Sequence, residues 1–159
     1  MLSFGGAGRG SKSIAPSTSN TAASATAAGA SLAETTLATV TIPAGMMVGK
    51  GLNIFISVTA TNNIANTRRW VLKLGGTVIG EFTTTAAINS AQTYVCDRGT
   101  GAQRSAWAGT AGTLTLTQNA YTAAIATSAA TTLTISVSQA SSAIGDISTL
   151  EFYVVELIS

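Results

Sequence analysis

From residue 34 onward, branched apolar residues alternate with threonine and serine at a period of two, the repeat of a half-buried strand. Ala38, Val40 and Ile42 share one side of a first run, with Leu37, Thr39 and Thr41 on the other. Pro43-Ala44-Gly45 ends it, because proline cannot donate to a ladder and glycine permits a turn. Leu52, Ile54, Ile56, Val58 and Ala60 then alternate with Asn53, Phe55, Ser57 and Thr59, and Asn62-Asn63 opens a loop. In Arg68–Leu74 the inward set is Trp70, Leu72 and Leu74, and the outward set Arg69, Val71 and Lys73. Gly75-Gly76 separates that run from Thr77–Phe82, the signature of a hairpin with a two-residue turn at positive φ. Further strands are predicted over 92–98, 113–117, 131–139 and 147–157. In the last, Leu150, Phe152 and Val154 share one face while Glu151, Tyr153 and Val155 share the other. Residues 99–112 read as a glycine-rich loop, and 119–130 as an Ala/Thr segment open to loop, irregular strand or short helix.

No run carries a helical apolar period beyond two turns, and enrichment in threonine, valine and isoleucine agrees with strands. About eight strands without crossover helices predict an all-β fold, an antiparallel two-sheet sandwich of jelly-roll type, with an immunoglobulin-like sandwich as the nearest rival. Residues 34–159 form that domain in this reading, and residues 1–33 an extended Gly/Ala/Ser/Thr-rich arm. The arm's only large apolar side chains are Leu2, Phe4, Ile14 and Leu32, too few to offset ordering costs of roughly 1–2 kcal/mol per residue. A neighbouring subunit would therefore order it, with Leu2 and Phe4 as anchors, or the Ala-rich stretch 21–31 would form a short helix on the body.

Composition narrows the chemistry. Alanine, threonine, serine and glycine supply more than half of the 159 residues, histidine is absent, and cysteine occurs once. One cysteine forms no intrachain disulfide, and Cys96, inside Thr93-Tyr94-Val95-Cys96, is expected to be a small buried hydrophobe. Zinc chemistry lacks its usual ligands, and serine lacks a histidine base. The six acids are scattered without a glycosidase signature, whose two carboxylates must face one cleft roughly 5–10 Å apart. Gly5-Gly6-Ala7-Gly8-Arg9-Gly10-Ser11-Lys12-Ser13 imitates a phosphate-binding loop, but Ser11 separates Gly10 from Lys12 and no strand precedes it. Arg9 and Lys12 are better read as cations of the arm. No enzyme activity, cofactor or metal is expected.

The net charge of +2 comes from eight dispersed basic residues, only Arg68-Arg69 being adjacent, so nucleic acid is not an expected partner. No apolar run approaches the ~18 residues of a membrane span, and the amino terminus lacks a secretory apolar stretch. Aromatics gather modestly at Tyr94, Trp107 and Tyr121, near Arg98 and Arg104. Trp107 either stands on an exposed loop, fit for protein contacts or sugar stacking, or caps the open end of the sandwich.

Three segments, Leu37–Gly45, Thr61–Thr67 and Val71–Thr77, together with the closing Leu150-Glu151-Phe152-Tyr153-Val154-Val155-Glu156-Leu157, resemble a group of small β-sandwich virion proteins of tailed bacteriophages. The resemblance covers about residues 34–158, rests on strand and turn signatures, and brings no catalytic residues. It implies a jelly-roll-type module in a virus particle. The expected function is a capsid decoration or cement protein at the capsid surface, bridging major capsid subunits and self-associating as a dimer or trimer. The alternative is a tail-fibre or appendage module that binds a host receptor or glycan. Candidate contacts are Leu2, Phe4, Arg9, Lys12, Ile14, Tyr94, Arg104 and Trp107.

Overall fold

A computed structural model describes residues 12–15, 20–23, 29–61, 67–85, 88–98, 103–110, 114–116, 120–142 and 147–158, with side chains over 33–60, 67–85, 90–98, 124–140 and 147–158. The strands are β1 (Lys12–Ala15), β2 (Asn20–Ala23), β3 (Gly29–Ile42), β4 (Gly51–Thr61), β5 (Arg68–Leu74) and β6 (Thr77–Thr84), then β7 (Ile88–Asp97), β8 (Gln103–Thr110), β9 (Leu114–Leu116), β10 (Ala120–Ala123), β11 (Thr131–Ser142) and β12 (Ile147–Ile158). One sheet has seven strands in the order β1-β12-β4-β7-β8-β10, with β2 also on β12; the other has five, β3-β11-β5-β6-β9. Every pairing is antiparallel. The fold is an all-β, two-sheet sandwich, as the alternation predicts. This strand order does not by itself make a jelly roll.

The core follows from strand parity. Leu52, Ile54, Ile56 and Val58 of β4 and Ala91 and Val95 of β7 project from the larger sheet. They meet Val40 and Ile42 of β3, Trp70, Leu72 and Leu74 of β5, Phe82 of β6, and Leu133, Ile135 and Val137 of β11. Trp70 and Phe82 stack with centroids 6.5 Å apart. Burying each such side chain contributes roughly 1.5–3 kcal/mol. The turn between β5 and β6 is the predicted one, with φ of 56° at Gly75 and 80° at Gly76. Met47, 1 % exposed, plugs the end of the core from the 43–50 loop. That loop is held by Gly49 N–H and Thr127 Oγ1, both donating to Asp97 Oδ2.

The closing strand departs from its predicted faces. Leu150 pairs with Val58 but Phe152 pairs with Ser57, so Glu151 is an extra, bulged residue. A single extra residue inverts everything after it. Tyr153 (7 % exposed), Val155 and Leu157 therefore join the core, while Phe152 (39 % exposed) turns outward. Val71 faces outward as expected yet is fully buried. It lies between Ser136 and Glu81 in register, with the ion-paired Arg69 and Lys73 two positions away on either side.

Other expectations are corrected by pairing. The predicted glycine-rich loop contains β8, aligned against β7 from Ser90↔Thr110 to Asp97↔Gln103. In the Ala/Thr segment, open between loop, irregular strand and short helix, the strand alternative holds over β10, paired with β8, and Ile125 after it is buried. Small side chains hide a strand from hydropathy, but an open neighbouring edge supplies the hydrogen bonds. Cys96 is exposed rather than buried, because Val95 takes the inward position of β7. Near the amino terminus, β1 and β2 both pair with β12 of the same chain, and β3 begins at Gly29.

Candidate functional site

The two outer faces of the sandwich differ in chemistry. On the five-stranded sheet, Arg69 bridges Glu34 (3.1 Å) and Glu81, and Lys73 pairs with Glu34. Glu34 reaches β5 from β3 across Ser136 and Ser138 of β11, whose short side chains leave room for it. The hydrogen bond from Arg69 to Glu81 raises the guanidinium pKa above its ordinary value, against the opposing effect of partial burial. Two acids and two bases neutralise one another there. These pairs are part-buried but still screened by solvent, and each contributes on the order of 1 kcal/mol.

The outer face of the seven-stranded sheet is built differently. Outward parity on β4 selects Asn53, Phe55 and Ser57; on β7, Ser90, Gln92 and Tyr94; on β12, past the bulge, Phe152, Val154 and Glu156. Phe152 lies diagonal to Phe55 across the β12–β4 pair, and their rings stack at 5.5 Å and 30°. Tyr94 lies diagonal to Phe55 on the other side, where such neighbours are about 7–8 Å apart. Three aromatics thus run as an oblique stripe over β7, β4 and β12. Tyr94 is 41 % exposed.

A polar chain accompanies the stripe. Gln92 Nε2 donates to Asn53 Oδ1 at 2.7 Å, and Asn53 Nδ2 donates to Glu156 Oε2 at 3.0 Å. Each amide is oriented by the next, leaving Gln92 Oε1, Glu156 Oε1 and one N–H on each amide directed away from the chain. Beyond the stripe the bulged Glu151 accepts from Thr59 Oγ1. Exposed rings beside oriented amides and carboxylates can stack on a flat apolar surface and hydrogen-bond to its polar rim. Among the described residues, no three of His, Cys, Asp and Glu are grouped to hold a metal ion, and no helix is long and apolar enough to cross a membrane.

Of the residues singled out from sequence, Tyr94 lies within this face. In register Arg104 sits opposite Cys96 and Trp107 opposite Thr93, and the side chains of both lie outside the described ones. Tyr121 pairs with Ser105. Lys12 lies opposite Leu157, and Ile14 falls at the register shift between Ser13 and Ala15. Leu2, Phe4 and Arg9 lie outside the described residues. Phe55, Phe152, Asn53, Gln92 and Glu156 were not singled out. The available signal was Phe55, a bulky ring on the polar side of an otherwise regular alternation. No family model matches this chain, and comparison with curated proteins and with solved structures finds no similar one.

Proposed function

We propose that this chain is a structural protein of a tailed-bacteriophage particle, a capsid decoration or cement protein that bridges major capsid subunits. The observation that carries this reading is how the amino-terminal segment is held. Lys12–Ala15 and Asn20–Ala23 add as short antiparallel strands to the outer edge of β12. Strand addition depends on main-chain hydrogen bonds and asks little of side chains, so a Ser/Ala/Thr segment can dock on a neighbour's edge in the same way. Exchange between copies gives a dimer or trimer; addition to a capsid subunit gives a clamp. Binding the assembled shell but not its separated subunits stabilises the shell by mass action, by about 2.7 kcal/mol at a hundredfold excess over Kd.

A second reading, a tail-fibre or appendage module for a host receptor or glycan, is favoured by the exposed Tyr94 and Phe152. Deleting residues 2–31 tests the clamp. The shortened chain is expected to keep its β-sheet circular dichroism and a cooperative melt, yet fail to occupy particles. Full occupancy would refute the clamp. Immunogold labelling of virions separates the readings, since label on the head supports the first and label on the tail the second.

A further inference from the structure

We infer that the outer face of the seven-stranded sheet is a binding site for a neutral saccharide, seated on Tyr94, Phe55 and Phe152 and hydrogen-bonded by Asn53, Gln92 and Glu156. A sugar ring is apolar on its faces and rimmed by hydroxyls, and this surface offers the complementary pair of features. Two strand spacings and four residues of rise separate Tyr94 from Phe152, placing the ends of the stripe about 16 Å apart. That length suits an oligosaccharide rather than one ring. Ser57 and Ser90, outward neighbours of Phe152 and Phe55, are short and leave the rings standing above the sheet.

The polar chain selects among occupants. An apolar protein face laid over it would strip water from Gln92 Oε1 and Glu156 Oε1 without replacement, costing about 1–3 kcal/mol for each group. Hydroxyls replace that water bond for bond, and a carboxylate is a strong acceptor for them. Both carboxylates on this side already take uncharged donors, Glu156 from Asn53 and Glu151 from Thr59. The ion pairs Arg69–Glu34, Arg69–Glu81 and Lys73–Glu34 lie on the opposite sheet. Two carboxylates flanking Phe152 and Val154 repel an acidic sugar. That excludes an acidic occupant, and hydroxyls, which both donate and accept, match the remaining amide and carboxylate groups.

This inference deepens the glycan-binding reading of the same Tyr94 and Phe152, and holds whether the chain sits on head or tail. The purified full chain is titrated, by calorimetry and amide chemical shifts, with gluco-, manno- and galacto-configured neutral hexasaccharides, a sialylated trisaccharide and a hexauronate. Saturable binding of at least one neutral hexasaccharide is expected, weakened about tenfold or more by Tyr94→Ala and by Phe152→Ala, with the melting temperature held near that of the parent. No saturable binding at about 10 mM, preference for the acidic sugars, or equal binding by both variants would overturn it. So would a sedimentation shift showing that Phe152→Ala dissociates a dimer, which would assign the face to a second copy. Failure here leaves particle occupancy and immunogold unaffected, so the two proposals fall separately.

Discussion

Two adjacent aromatic residues on β12 should respond to truncation in opposite ways. The bulge at Glu151 sends Tyr153 into the core, 7 % exposed and opposite Ile56, and sends Phe152 outward, 39 % exposed and opposite Ser57. Tyr153→Ala removes a ring from a close-packed interior, for which the lost transfer energy and the residual cavity together cost about 3–5 kcal/mol. Phe152→Ala removes a half-exposed ring and its stacking on Phe55, worth about 0.5–1.5 kcal/mol. In a domain of this size 1 kcal/mol moves Tm by about 2–4 °C, so Tyr153→Ala should melt roughly 6–20 °C below the parent and Phe152→Ala within about 6 °C. Urea titration at constant slope m supplies the free energies. An uninterrupted alternation through β12 gives the reverse order. If Phe152→Ala proved as costly as Tyr153→Ala, the bulge, the inverted faces and the aromatic stripe would all be wrong. Deleting Glu151 is the companion experiment. Removal of the extra residue preserves the parity on both sides, so the chain should still fold cooperatively.

The β5–β6 turn and β7 offer two further checks. Gly75→Ala places a Cβ at φ +56°, 3.0 Å from Thr131 Oγ1 and 3.3 Å from Ile125 Cγ2, and should lower stability by about 1–2 kcal/mol in urea; Gly76→Asn, at φ +80° with nothing within 4 Å, should cost far less. Cys96 is exposed in the native state, so a maleimide should label the folded chain stoichiometrically without denaturant, and protection until unfolding would contradict the register of β7.

Much of the sandwich is legible in the chain because its central strands bury one face and wet the other. β4 shows this best, with Leu52 through Ala60 buried at every second position, and the paired glycines announce the β5–β6 hairpin. Legibility fails where the side chain stops being the determinant. In β8 and β10, alanines, threonines, a serine and a glycine carry little hydropathic contrast, and the edge of β7 organises β8 as the edge of β8 organises β10. In β12 the hydropathic pattern is present but its phase changes at Glu151, and no local residue type marks a bulge of that kind. The surface chemistry is harder still. Phe55 can be noticed on a polar face, whereas its partnership with Phe152 needs the bulge, and the Gln92–Asn53–Glu156 chain joins three strands that sequence distance keeps apart. The compositional argument, strong about absent histidine and metal ligands, is silent about which neutral side chains share a face.

The outer edge of β12 is occupied in two short pieces, by β2 against residues 147–150 and by β1 against residues 155–157, and the kink at Glu151 falls between them. A long flat rim of unsatisfied amides is a seed for runaway stacking into fibres. Breaking that rim into two docking lengths with a bend in the middle admits four-residue visitors and turns away anything that would grow indefinitely. Resistance to edge-to-edge growth is thus built from two short strands and the one surplus residue between them.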